Sequence, residues 1–127
     1  MKKNILLAVT FLLAGCPTAH NVNLYSAQSK IINNKICVFV DKTSMVKDEN
    51  ILKVSIWQRG GSYVYEKSYA INPVPLIAGK CIPDISNFNF AAGIEYSAIV
   101  DTPLNTYESR FSLARQNGRL VLHRTGM

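Results

Sequence analysis

The sequence has little of what catalysis or metal binding would need. Its 127 residues include two histidines, His20 and His123, which are far apart and have no partner at metal-ligand spacing, and this argues against a zinc site. No serine-centred elbow, phosphate-binding glycine loop or metal-binding histidine pair occurs in the chain. Asp48 and Glu49 are adjacent, so in a strand they would point to opposite faces, and in their charged loop, Asp41 to Asn50, they read as solvated. The expectation is therefore a protein that is not an enzyme, with no metal, no cofactor and no small-molecule substrate. Long apolar runs are equally scarce. The one near the start, Ile5 to Ala14, spans ten residues, or roughly 15 Å as a helix against a hydrocarbon core about 30 Å thick. It is too short to cross a membrane. Helical periodicity is nearly absent from the remainder, which excludes a helix bundle.

The start of the chain carries an address. Lys2 and Lys3 precede the apolar stretch, and small residues follow it immediately before a cysteine, which is the layout of a secretory signal. Leu13-Ala14-Gly15-Cys16 resembles the lipobox of bacterial lipoproteins. That resemblance implies cleavage before Cys16, a diacylglyceryl group on its sulfur and an acylated amino terminus, and more than one acyl chain gives stable attachment to a membrane. Pro17 stands at the second mature position in place of the aspartate associated with inner-membrane retention. The expected location is the periplasm, anchored to the outer membrane. Residues 1–15 are thus read as signal peptide, 16–22 as lipidated terminus and tether, and 23–127 as one folded domain. The mature chain has 112 residues with 12 basic and 8 acidic side chains, a formal charge of +4, and that length is enough to bury a single core. The tether from Pro17 to Val22 reaches at most about 20 Å, so the domain should sit near the membrane surface.

Only two cysteines remain, Cys37 and Cys81, an even pair in a chain sent to an oxidising compartment. A disulfide is the expected state. The 44-residue separation makes it worth roughly 4 kcal/mol on the chain-entropy account.

The rest of the chain alternates with period two in short segments divided by turn residues, which predicts an all-β fold. Ile36 to Val40 reads as a strand buried on both faces. Leu52, Val54 and Ile56 alternate with Lys53 and Ser55, one face buried and one wet. Gly60-Gly61 should turn that strand into Ser62 to Ala70. Pro73 and Pro75 read as breaks before a strand at Leu76 to Ile82. Ile94, Tyr96, Ala98 and Val100 alternate cleanly, a loop follows from Asp101 to Asn105, then a strand from Tyr107 to Ala114, and Asn117-Gly118 is a strong hairpin signal before Arg119 to His123. With Asn23 to Ile31 as a weak first strand, the expectation is an immunoglobulin-like β-sandwich of about seven to eight antiparallel strands with one disulfide. Trp57 falls in the third strand, where such sandwiches pack a tryptophan on a disulfide, and is read as core rather than as a binding anchor. Cys81 lies too early for the antibody topology.

Two features bear on a partner. No acidic residue follows Glu108, yet Arg110, Arg115, Arg119 and Arg124 do. These arginines read either as a solvated face, or charges facing an anionic membrane, or as a face for an acidic protein, since arginine suits interface ion pairs. Arg110, Arg115 and Arg119 are the candidate partner-binding residues. Nucleic acid is excluded as a partner by the compartment. Tyr63, Tyr65 and Tyr69 share one face of their strand, which could be either core or contact surface.

Several short stretches together suggest a family. Ile36-Cys37-Val38-Phe39-Val40, Val54-Ser55-Ile56, Ala70-Ile71-Asn72-Pro73, Gly79-Lys80-Cys81-Ile82-Pro83, the aromatic stretch through Phe88 and Phe90 to Gly93 and Tyr96, and Asn117-Gly118-Arg119 resemble the periplasmic immunity lipoproteins of type VI secretion systems. The resemblance implies a membrane-anchored binder that neutralises a toxic effector protein in the periplasm. Lipoproteins of the lysozyme-inhibitor kind, which meet a basic enzyme and so favour acidic surfaces, are an alternative. A structural outer-membrane lipoprotein of the secretion apparatus is another.

Overall fold

A computed structural model describes residues 23–45 and 47–124. The signal peptide, Cys16 and the tether lie outside the described residues. Ten strands are present among the described residues: β1 (Asn23–Ser26), β2 (Gln28–Ile32), β3 (Lys35–Phe39), β4 (Glu49–Ile51), β5 (Lys53–Gln58), β6 (Tyr63–Ser68), β7 (Val74–Leu76), β8 (Glu95–Asp101), β9 (Asn105–Gln116) and β10 (Arg119–Arg124). The only helical elements among the described residues are two short 3-10 turns, Lys42–Ser44 and Ile85–Asn87. The fold is all-β, as the period-two pattern predicts.

Five strands form the main sheet in the order β1-β9-β8-β5-β6, and β10 joins it as a sixth by pairing with β9. The twelve-residue β9 shares one of its edges between two partners. β1 runs parallel along Asn105 to Glu108, and β10 runs antiparallel from Phe111 to Gln116. The expected all-β sandwich thus contains this one parallel pair, β1 with β9, among otherwise antiparallel ones. The first strand is broken at the small, buried Ala27, whose N–H still bonds the Glu108 carbonyl at 2.8 Å. There the chain leaves the main sheet and continues as β2 in the second layer. β2 turns through Asn33 and Asn34, both at positive φ, into β3.

The second layer consists of two two-stranded pairs, β2-β3 and β4-β7. Its Ile36, Val38, Val40, Ile51 and Leu76, with Ile82 and Ile85, form one buried cluster with Val54 and Ile56 of β5, Tyr96, Ala98 and Val100 of β8, and Tyr107, Phe111 and Leu113 of β9. Phe90 seals one part of this core, edge-on to both Tyr96 and Phe111 at 4.9 and 5.4 Å between centroids. Cys37 and Cys81 are bonded, with Cα atoms 5.2 Å apart. The bridge ties β3 to the segment after β7, which also bonds β3's end through Gly79 N–H to the Val40 carbonyl and Ile82 N–H to the Val38 carbonyl. It is therefore a staple at the edge of the second layer and does not cross between the layers.

Three local expectations are overturned. The strand expected at Leu76 to Ile82 is instead Val74–Leu76, followed by a turn. Pro75 sits within it opposite Asn50, which a two-stranded pair tolerates because a proline can face an open edge. Ser55 is not wet but 2 % exposed. Trp57 does not join the core: it stands on the opposite face of β5 from Val54 and Ile56 and is half-buried.

Candidate binding face and its buried support

The face of the main sheet turned away from the second layer is built by strand register. Tyr63 of β6 pairs with Trp57 of β5, Trp57 with Ser97 of β8, and Ser97 with Arg110 of β9. One row across four strands thus reads Tyr63, Trp57, Ser97, Arg110. The next row reads Glu66, Ser55, Ile99, Glu108. The small serines are buried between larger neighbours, which stand up around them, and Trp57 and Ile99 are diagonal neighbours within reach of each other. Arg110 donates from Nε to Glu108 at 3.1 Å, and Lys53 pairs with Glu66 at 3.1 Å. Charge on this face is locally balanced rather than uniformly positive.

The tyrosines are separated by a β-bulge. Tyr65 pairs with Ile56 and Tyr63 with Trp57, so the register shifts between Ile56 and Trp57, and the extra residue turns Tyr63 to the outer face while Tyr65 packs edge-on to Phe88 inside. Tyr69 donates its hydroxyl to Asp84, which also holds Lys67 at 2.9 Å. Hydrogen bonds from Tyr69 and then Lys67 keep the Asp84 carboxyl below its ordinary value. The three tyrosines therefore do not form one patch.

The arginines are likewise divided. Arg110 and Arg119 face the same side, but Arg119 is opposite Gln116 at the hairpin tip, six residues and about 20 Å further along β9. Arg115 is opposite Leu120 on the other face, where it lines a hollow of about 280 Å³ with Asn34 and Phe90. Arg124 donates to the Ser29 carbonyl at 3.0 Å. Of the three candidates, only Arg110 shares a row with aromatic residues.

Beneath the sheet's other end lies a site that sequence reading placed in a solvated loop. Glu49 of β4 is 9 % exposed. Its Oε1 accepts from the Thr102 hydroxyl at 2.5 Å and the Asn105 amide at 2.7 Å, and its Oε2 from the Tyr107 hydroxyl. Thr102 in turn accepts the Asn105 N–H at 3.0 Å. Burial alone would raise the Glu49 carboxyl, but the bonds from Thr102, Tyr107 and Asn105, with the charge of Lys47, outweigh it and hold the group below its ordinary range. Burial and the adjacent carboxylate push the Tyr107 hydroxyl well above its ordinary value. Glu49 is thus an ionised acceptor fixed by three donors, an arrangement that holds a turn together and has no proton to give near neutral pH. No local pattern marks it, because Glu49 and Ile51 are buried at odd positions whereas the core residues Val54 and Ile56 of β5 fall at even ones.

The segment from Leu24 to Gln116 matches the model of a family described as a domain of unknown function, DUF7480. The chain belongs to the DUF7480 family. No curated protein and no solved structure matches it. The DUF7480 segment begins in β1 and ends with β9, so it contains the disulfide, the Glu49 cluster and the row from Tyr63 to Arg110, whereas Arg119 and β10 lie beyond it.

The DUF7480 domain also has a cleft of about 550 Å³ lined by Lys42, Met45, Lys47, Glu49 and Ile77, among others. The Glu49 carboxylate is spent on Thr102, Asn105 and Tyr107, which leaves Lys42, Lys47 and Asp48 as the cleft's charged groups. Among the described residues no group of three or more histidine, cysteine, aspartate or glutamate side chains could hold a metal ion. No helix among them is long and apolar enough to cross a membrane.

Proposed function

We propose that this chain is a lipid-anchored periplasmic lipoprotein that binds a toxic effector of a type VI secretion system and neutralises it, with the lipid on Cys16 and the anchor in the outer membrane. The observation that carries the binding part is the row Tyr63, Trp57, Ser97, Arg110. Tyrosine, tryptophan and arginine are the residues that dominate interface energies, and here they are presented on four hydrogen-bonded strands that need no rearrangement to meet a partner. The lipobox supports the location. A short tether and a disulfide suit a domain that must intercept an envelope-directed effector close to the membrane. Neutralisation would come from covering the effector's active site or blocking an opening that it requires.

The test is co-expression with the product of the neighbouring gene, exported to the periplasm. Growth should be rescued and the two proteins should co-purify. No rescue together with no complex would reject the immunity reading for that pair.

A further inference from the structure

The three segments at one end of the main sheet have a common character. Asn105 is the β9 partner of Asn23, Asp101 is the β8 partner of Lys53, and Lys53 is the β5 partner of Ser68. The start of β1, the turn 102–104 and the loop 69–73 therefore lie together at that end. Each presents an aliphatic side chain to the outside: Ile71 is 93 % exposed, Leu104 58 % and Leu24 56 %. None of the segments 23–29, 68–79 and 102–107 contains a charged residue, although 17 % of the chain is charged. The charges nearest this end, Lys53 and Asp101 at the strand ends and Lys47 and Asp48 beside Glu49, lie outside these three segments, and Lys53 is paired with Glu66 at 3.1 Å. The adjoining Asp101 carboxylate is already engaged by the Thr106 hydroxyl at 2.7 Å.

The position of Cys16 selects the occupant. Asn23 lies seven positions after it, at most about 25 Å of chain, and the domain begins at this same end. We infer that the end formed by Leu24, Ile71 and Leu104 rests on the lipid surface, with the three side chains seated in the interfacial layer of the bilayer that holds the anchor. The inference depends on the proposed acylation of Cys16. It makes the tip residues a second membrane contact besides the acyl chains, each leucine-sized side chain worth roughly tenfold in partition when fully buried. It also sets the strands upright, with the row from Tyr63 to Arg110 turned sideways and the Asn117-Gly118 hairpin furthest from the membrane.

The test uses the mature acylated protein in vesicles of phosphatidylethanolamine and phosphatidylglycerol that carry bromine on their acyl chains. Trp57, the single tryptophan, is changed to phenylalanine, and reporters are introduced one at a time as Ile71→Trp, Leu104→Trp and Gln116→Trp. The reporters at positions 71 and 104 should be blue-shifted and should lose most of their emission to the bromolipid. The reporter at 116, about 40 Å away along β9, should keep its emission. Equal emission at all three positions in protein whose mass shows the diacylglyceryl group would overturn the docking and leave the anchor intact. Hydrogen-exchange protection of segments 69–73 and 102–104 that, in acylated protein retaining Trp57, appears only when the effector is added would also overturn it, by making this end a protein interface. Protein lacking the diacylglyceryl mass would remove the anchor and the inference together.

Discussion

Replacing Glu49 with glutamine should cost far more stability than an acidic residue in a charged loop would suggest. The substitution keeps the shape of the side chain but removes its charge, and it turns one acceptor into a donor facing the Tyr107 hydroxyl. Hydrogen bonds to a charged group contribute about 1.5–3 kcal/mol each against about 0.5–1.5 for neutral pairs. Three such bonds weaken at once, partly offset because the buried ion no longer needs desolvation. A net loss of about 2 kcal/mol is expected, and alanine, which strands the buried Thr102, Asn105 and Tyr107 donors, should lose about 4 kcal/mol. For a domain of this size each kcal/mol shifts Tm by about 4–8 °C, so the glutamine variant should melt roughly 10 °C lower. Urea titration at pH 7 measures the same quantity. The pH dependence supplies a second test. The Glu49 carboxyl is held below its ordinary value near 4.5, so its stabilisation is fully present above that value and is lost as pH falls through the folded-state value. The gap between wild type and Glu49→Gln should therefore be constant from pH 7 to about 5 and close on further acidification. A glutamine variant with an unchanged urea midpoint, or a gap that persists undiminished at low pH, would refute the assigned role.

Three further outcomes are expected. Reduction of Cys37–Cys81, or its replacement by two alanines, should lower stability by about 4 kcal/mol for a separation of 44 residues, read as a shift in urea midpoint that reductant does not enlarge in the alanine variant. Gly118→Ala should cost about 1–2 kcal/mol because φ there is +79°, and a calorimetric Tm equal to wild type would show that the hairpin can adopt another turn. Trp57→Ala and Arg110→Glu should each weaken effector binding at least about tenfold with unchanged melting temperature, while Arg115→Glu, on the opposite face, should leave binding intact. Calorimetric titration separates these cases, and equal losses at positions 110 and 115 would dismiss the outer face as the contact.

Legibility in the sequence followed the range of the forces involved. β8 was evident from Ile94, Tyr96, Ala98 and Val100, and the last hairpin from Asn117-Gly118, because alternation and turn chemistry are local. The Cys37–Cys81 pairing followed from parity and compartment. β4 was not legible: it has three residues, two of them polar, and its burial depends on Thr102, Asn105 and Tyr107, more than fifty positions away. The bulge opposite Ile56 and Trp57 has no marker residue, so Tyr63 and Tyr65 could not be assigned to opposite faces. Two other facts were available in strand parity. If Val54 and Ile56 point inward, Trp57 must point outward, and the analogy with tryptophan-on-disulfide sandwiches overrode that alternation. Arg110 and Arg115 are an odd number of residues apart in one strand, which already places them on opposite faces.

The buried glutamate and the apolar end are best understood together. The segments 102–107 and 68–79 have no charged side chains, so no surface ion pair can fix the turn that presents Leu104. An ionised carboxylate set behind that turn solves this from inside: Glu49 holds Thr102 and Asn105 at the turn's two ends and Tyr107 just beyond it, while β4 itself is fastened to β7 through Glu49 and Leu76. An apolar residue at position 49 would pack there but would leave those three donors unanswered, and the turn would have no reason to prefer one conformation. The polar network faces inward and Leu104 faces outward, so the same turn can be firmly positioned without putting any charge on the surface that it offers to a lipid layer.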